Sequence, residues 1–237
     1  LPCAGLGVLA RHRPGAGALT LAGAGLSPAR ARAFLRGLGL QLSGRVQLVP
    51  RAPAGLGTGV STASLVALAR LAGWQGPPEA LAQACIAAEG ASDPLVFVAP
   101  ERLLWSSREG RVLATLPALP RYEILGGFHG PARRTDPRDS AFPDIADLLA
   151  RWQQARDLPA LAALASESAA RTTALRGPAD DPTPGLARDL GALGWMRAHT
   201  GAARGLIFAP GTVPAGASAA LLAAGLRGLR RFKGGER

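Results

Sequence analysis

Apolar and polar residues alternate in short blocks along the chain, and the blocks predict the elements. Residues 6–13 and 17–23 read as two strands, with Arg13-Pro-Gly-Ala as the turn between them. Ser27-Pro-Ala-Arg predicts a helix start, with Ser27 as N-cap, Pro28 in the first turn, and Ala31, Phe34, Leu35 and Leu38 along one face. A strand over 45–49 leads through a glycine-rich stretch to a helix over 61–72. Pro77 or Pro78 opens a further helix over 79–88, whose apolar stripe is Leu81, Ala84, Cys85 and Ala88. Strands are expected over 95–98, 103–105 and 112–116, and a boundary at Leu116-Pro-Ala-Leu-Pro120.

Beyond the boundary, residues 121–127 read as a strand and 128–142 as a loop dense in charge, with His129, Arg133, Arg134, Asp136, Arg138 and Asp139. Helices are expected over 144–155, 158–173 and 185–197, with a Pro- and Asp-rich spacer over 176–184. A strand over 206–209, a helix over 215–226 and a strand over 229–232 complete the chain. This is α+β order, not regular βαβ alternation. It predicts two domains, 1–118 and 119–237.

The chemistry concentrates in Pro53-Ala-Gly-Leu-Gly-Thr-Gly-Val-Ser-Thr-Ala-Ser64. Gly55, Gly57 and Gly59 permit positive φ and leave no Cβ in the way of a ligand. Backbone N–H groups of such a loop, and of the helix after it, converge on an anion. Thr58, Ser61, Thr62 and Ser64 add hydroxyls. The stretch therefore reads as a phosphate site, or as a glycine turn with Ser61 or Thr62 as the helix cap. A Walker A loop is unlike it, because that loop ends in Gly-Lys-Ser/Thr and the lone lysine here is Lys233. A dinucleotide fingerprint needs G-x-G-x-x-G. The glycines here fall G-x-G-x-G, and only the spacing to Glu79 speaks for a ribose acid.

The pattern P-x-G-x-G-x-G-x-S-x-A-S resembles the second motif of the GHMP kinases (galactose, homoserine, mevalonate and phosphomevalonate kinases). Val60-Ser61 stands where that motif has a serine pair. Glu89-Gly-Ala-Ser-Asp93-Pro resembles the segment carrying the catalytic or substrate-side acid, and His199-Thr-Gly-Ala-Ala-Arg-Gly205 resembles the third motif. The Ser61-Thr62-Ala63 ending is most similar to the L-threonine kinase branch, which serves cobalamin side-chain synthesis and propanediol utilisation. The family's first motif, which helps to bind substrate, has no counterpart from Leu1 onward.

The resemblance covers nearly the whole chain. It implies a two-lobed fold, with an N-terminal lobe like the second domain of ribosomal protein S5, a ferredoxin-like C-terminal lobe and the active site between them. It implies ATP and Mg²⁺ as cofactors and a hydroxyl-bearing small molecule, L-threonine, as substrate. Pro53, Gly55, Gly57, Thr58, Gly59, Ser61, Thr62, Gly201 and Gly205 would hold the nucleotide. Ser61 and Glu89 would hold the metal, and Asp93 would be the base. Arg133, Arg134 and Arg204 would meet the charge of the substrate. The alternative is a non-catalytic GHMP-fold protein that binds a nucleotide or metabolite, which the missing first motif and Val60 favour.

Composition narrows the field further. Hydrophobic residues make up 48% of the 237, enough for a packed core. The formal charge of +11 invites a nucleic-acid reading. The arginines are scattered, however, and aromatics are 5%, too few for a base-stacking platform; no nucleic-acid partner is expected. Cys3 and Cys85 lack CxxC spacing and are expected as reduced thiols. His12, His129 and His199 are too dispersed for a zinc set. No membrane span or signal sequence is legible, so a cytoplasmic location is expected.

Overall fold

The computed structural model describes residues 1–3, 5–133, 136 and 138–236. By packing it divides into two compact units: Leu1–Ala54 with Thr58–Thr115, and Gly55–Gly57 with Leu116–Arg237.

The N-terminal unit holds a small sheet of β1 (Val8–Arg13), β2 (Thr20–Ala22) and β3 (Arg45–Pro50), in the order β1-β3-β2. The expected hairpin between the first two strands does not form. β3 lies between them, antiparallel to β1 and parallel to β2. Its alternation explains the insertion: Val46 and Leu48 are buried while Arg45, Gln47 and Val49 face outward, so it is the strand best able to occupy the centre. Helices α1 (Pro28–Gly37), α2 (Val60–Leu71) and α3 (Pro78–Glu89) supply the rest of the core, with Phe34, Leu35, Leu65, Leu68, Leu81 and Cys85 packed around the two β3 residues. Ser27 caps α1 as expected, accepting from Arg30 N at 3.3 Å. The thiol of Cys85 is core, pushed up to about 12 by burial.

After α3 a hairpin follows, β4 (Leu103–Ser106) with β5 (Arg111–Thr115). The strand expected over 95–98 is absent. That run is closed in by Pro94 and Pro100, Val98 is fully exposed, and Phe97 turns its ring edge toward Trp105 at 5.4 Å. A proline on either side removes the N–H groups that a ladder would need at the ends of the run.

The C-terminal unit begins with β6 (Tyr122–Phe128), then α4 (Ala146–Gln154), α5 (Leu158–Arg176) and α6 (Thr183–Asp189). β7 (Gly194–Arg197), β8 (Ala203–Phe208), α7 (Ala217–Ala223) and β9 (Arg227–Gly234) complete it. The sheet order is β7-β8-β6-β9, antiparallel throughout. With its crossovers through helices this is the ferredoxin-like arrangement. β6 is central and buried along almost its whole length. Its apolar residues meet Leu161, Trp195, Leu206, Phe208 and Leu221.

The helix expected over 185–197 is two elements. Gly191 adopts φ +64° and ends α6, and Gly194-Trp-Met-Arg then continues as β7. Trp195 reaches the core from this strand, beside Leu186 and Leu190.

Candidate functional site

In the N-terminal unit the glycine stretch enters α2 through Gly59, which takes φ +68° as the N-cap and makes no side-chain cap bond. Neither Ser61 nor Thr62 caps the helix. Their hydroxyls go elsewhere. Ser61 Oγ donates to Glu89 Oε1 at the end of α3. Thr62 Oγ1 accepts from the backbone N of Asp93 at 3.2 Å. Ser64 Oγ bonds back to Val60 O at 2.7 Å. Thr58 Oγ1 is buried with no partner among the described residues. Val60, standing where the motif has its first serine, is buried in the first turn of α2.

Arg30 from α1 steadies Glu89. Its Nε and Nη2 donate to Ala88 O at 2.9 and 2.7 Å, and Nη2 lies 3.5 Å from Glu89 Oε1. Gly90, at φ +78°, then turns the chain toward Asp93. The turn is pinned to the β4–β5 hairpin: Ser92 N donates to Ser107 O at 2.8 Å, and Trp105 Nε1 donates to Ser92 O at 2.7 Å. The Asp93 carboxylate ends up over the helix entry, where a Cβ on Gly59 would come within 2.9 Å of its Oδ2. Asp93 reaches solvent, yet the protein around it desolvates the carboxyl and pushes its pKa above the usual aspartate range. Ser61, Thr62, Glu89 and Asp93 are thus brought together.

Of the residues expected to hold nucleotide, Pro53 is exposed in the irregular segment after β3. Gly55 and Gly57, at φ +83° and +81°, belong by packing to the C-terminal unit. There Gly55 O accepts from Arg133 N at 2.8 Å and Leu56 O from Ala203 N at 2.9 Å. Gly201 lies in the turn between β7 and β8 against Leu56 and Gly57. Gly205 is not in a loop: it sits inside β8 opposite Gly126 and Met196, where a Cβ would press on Ile124 and Met196. The expected loop over 199–205 is shorter because β8 already begins at Ala203.

The same unit contains a cavity of about 600 Å³. His129, Arg133, Arg176, Arg197, His199 and Arg204 line it, together with Asp136, Asp139 and Asp180. Much of the charged loop therefore does border a hollow. Arg133 is exposed there, while Arg134 lies outside the described residues. Arg204, expected as a cation open to substrate, is instead a structural ion-pair member. Its Nε meets Asp181 Oδ2 at 2.5 Å and its Nη1 donates to Gly201 O at 3.1 Å, both side chains being almost wholly buried. Burial pushes Asp181 up, but Thr183 and Arg204 together hold it, on balance, below its ordinary range. Arg176 pairs with Asp139 at 2.7 Å and lies 5.2 Å over the Phe142 ring, whose edge faces His199 at 5.5 Å. His199 reaches solvent, yet desolvation by the protein around it, with Arg176 and Arg197 nearby, pushes its pKa below the usual histidine value.

Sequence reasoning missed Arg176, Arg197 and Asp180. Arg176 and Asp180 stood in the spacer, and Arg197 ended a supposed helix. The available signal was a cluster of prolines and aspartates next to a third motif, which marks a loop that borders something. Glu79, the ribose acid of the dinucleotide reading, is exposed in the first turn of α3. Among the described residues the strands after that helix, β4 and β5, pair antiparallel, which is not the βαβ unit a dinucleotide fingerprint needs. Among the described residues no three His, Cys, Asp or Glu side chains gather as a metal set, and no helix is long and apolar enough to cross a membrane.

No family model matches the sequence, and no curated protein matches it. Solved structures do match in shape. The mevalonate kinase of L. major, in complex with R-mevalonate, superposes with a TM-score of 0.62 at 14% identity, over 96% of this chain and 86% of its own. Homoserine kinase from Cytophaga hutchinsonii gives 0.57 at 17% identity, over 95% and 84%. Lactococcus lactis galactokinase complexed with galactose gives 0.56 at 12% identity, over 97% and 85%. With its mixed helix and strand and a ferredoxin-like C-terminal unit, and with its match in shape to these structures, this protein has the fold of the GHMP kinases.

Proposed function

We propose that this protein is an ATP-dependent small-molecule kinase that phosphorylates a hydroxyl, with L-threonine as the acceptor, in cobalamin side-chain synthesis. The observation that carries the reading is the meeting of Ser61 with Glu89 at the entry of α2, with Asp93 tied to the same turn through Thr62. Phosphoryl transfer asks mainly for positioning and charge neutralisation, and a helix entry with no side-chain cap offers both.

Each residue then has a definite task. Backbone N–H groups of the 53–64 stretch receive the phosphates of ATP. Ser61 Oγ and Glu89 are hard oxygen donors lying side by side, which suits Mg²⁺, an ion that takes one or two protein ligands and completes its shell with phosphate and water. The ion, when bound, offsets phosphate charge. Arg30 keeps Glu89 in place. Asp93 orients the acceptor hydroxyl and takes its proton as the oxygen attacks the γ-phosphorus and ADP leaves. The same desolvation that raises its pKa makes it a better base than a free carboxylate. Arg133 is assigned to the charge of the acceptor. The homoserine kinase among the matching structures, named for a hydroxyl-bearing amino acid, supports an acceptor of that kind.

The experiment is ADP release over L-threonine, L-serine, homoserine, mevalonate and galactose. Turnover with L-threonine supports the full reading. Turnover with a sugar alone removes the amino acid and keeps the kinase. A second reading, a non-catalytic nucleotide- or metabolite-binding protein, draws on the apolar Val60 in place of a serine. ATP binding with silence on every acceptor would decide for it.

A further inference from the structure

The peptide group that joins Ser92 to Asp93 is held at both of its ends. Its carbonyl, Ser92 O, accepts from Trp105 Nε1 at 2.7 Å, and its amide, Asp93 N, donates to Thr62 Oγ1 at 3.2 Å. The two grips come from different elements, Trp105 from β4 and Thr62 from α2. A trans peptide group is a rigid plane whose C=O and N–H point opposite ways. Bonds at both ends therefore fix its tilt, and with it the direction in which Asp93 leaves the turn. The next residue, Pro94, confines the Asp93 backbone to extended conformations. Ser92 Oγ donates to Asp93 O at 3.1 Å across the same residue. Asp93 is exposed, yet the backbone that carries it is constrained on both sides.

The hairpin that carries Trp105 buries little on its own account. Val112 and Leu113 are exposed, and two strands alone are marginal in water. It is braced from elsewhere. Gln83 Nε2 on α3 donates to Glu109 O and Gly110 O in its turn, at 2.7 and 3.2 Å. Ser107 O takes the Ser92 amide at 2.8 Å. Between the pairs Leu104–Ala114 and Trp105–Val112 the ladder skips Leu113, and such a bulge twists a strand pair and re-aims the side chains beside it. The Phe97 ring packs against the indole at 5.4 Å and 64°. Brace, bulge and ring thus act together on one donor. Nε1 is the only polar atom of the indole, and Ser92 is buried, so a carbonyl released by Trp105 has poor access to water.

We infer that Trp105 and Thr62 are positioning residues for Asp93: gripping opposite ends of one peptide, they hold its carboxylate over the entry of α2. The holding stands on these contacts alone; that Asp93 is a base with a hydroxyl to meet rests on the kinase reading above. A base that drifts out of line with the acceptor hydroxyl costs turnover and leaves ATP affinity alone.

Two measurements on the full chain test it. The first is amide hydrogen exchange without ATP or acceptor. In Trp105→Phe, which keeps a ring and loses the N–H, the Asp93 amide should exchange about tenfold to a hundredfold faster, while the core amides of Leu68 and Ala69 stay as in the wild type. Thr62→Val should do the same, and Thr62→Ser, which keeps the hydroxyl, should recover most of the protection. The second is kinetics on whichever acceptor is turned over. Trp105→Phe should lower kcat about tenfold and leave the KM for ATP within about twofold. Placed in an Asp93→Asn background it should lower kcat no further, because the side chain it positions no longer acts. Unchanged exchange at Asp93 in Trp105→Phe, or an equal kcat loss in the Asp93→Asn background, overturns the inference. If Trp105→Phe does not fold, the Thr62 pair carries both measurements, and equal exchange and kcat in Thr62→Val and Thr62→Ser overturns it. Lost protection at Asp93 with no acceptor turned over leaves the positioning standing and sinks the kinase. Turnover with protection at Asp93 unmoved does the reverse.

Discussion

Gly57 and Gly201, 144 positions apart in sequence, pack face to face: a Cβ on Gly57 would come 3.2 Å from Gly201 Cα and overlap the Ala198 side chain, and a Cβ on Gly201 would overlap the backbone of Leu56 and Gly57. The second and third motifs therefore touch through their glycines. Gly57 adopts φ +81° as well, so two separate requirements exclude a side chain there.

Gly57→Ala should cost about 2–4 kcal/mol, combining a strained φ with overpacking. Gly201→Ala, which meets only rigid backbone, should cost about 1–3 kcal/mol. Thermal unfolding would show drops of several degrees for both. Gly73→Ala is the control, since Gly73 has φ +84° and nothing within 4 Å of its missing Cβ. A Gly57 variant as stable as the control would mean that the two motifs do not pack as described. Gly57→Val should accordingly fail by unfolding before it fails by blocking phosphate.

What the sequence made legible was local. Ser27-Pro28 declared the start of α1, because a cap and a fixed φ act within one turn. The glycine stretch and its helix were equally plain. Pairings were not. Nothing between Arg13 and Thr20 says that β3, arriving later, will part β1 from β2. Nor does the run ending at Arg197 show that Gly191 breaks it and that the arginine closes a strand beside a cavity. Of the proposed site, Ser61, Glu89 and Asp93 could be singled out because their motifs are contiguous. The meeting of Ser61 with Glu89 is a tertiary fact, and Arg30, which steadies it from α1, carried no motif.

Ser61→Ala is the cleaner probe of the phosphate and metal assignment. Ser61 is exposed, so the fold should lose little, within about 1 kcal/mol. In a Mg²⁺ titration at fixed ATP, half-saturation should rise about tenfold, and Glu89→Gln should match it. Unchanged Mg²⁺ dependence in both variants removes the metal from this pair.

The net charge of +11 should not make the protein a nucleic-acid binder. On β9, where basic residues are densest, Arg231 is paired with Glu123 at 2.6 Å, and Arg227 and Arg230 bond carbonyls of their own or adjoining turns. Fluorescence anisotropy with random single- and double-stranded DNA should show weak binding at low salt, lost by about 200 mM. A complex that survives well above that would reinstate the excluded class.

Asp93 gives opposite signs for stability and activity. The usual aspartate value is 3.8, and desolvation raises it in the folded state. The fold thus holds the Asp93 proton more tightly than the unfolded chain does. The stability linked to this group is fully present below 3.8 and is lost as pH rises through the higher folded value. At neutral pH the ionised carboxylate is a cost to the fold, and Asp93→Asn, which is neutral and of the same shape, should melt at the wild-type temperature or above it. Catalysis runs the other way, because the base must be ionised. Turnover should fall on the acid side through a pKa above 3.8, and Asp93→Asn should lose about 10²- to 10⁴-fold in kcat with little change in ATP binding. A variant that melts lower and still turns over would place Asp93 among the structural residues and move the base elsewhere.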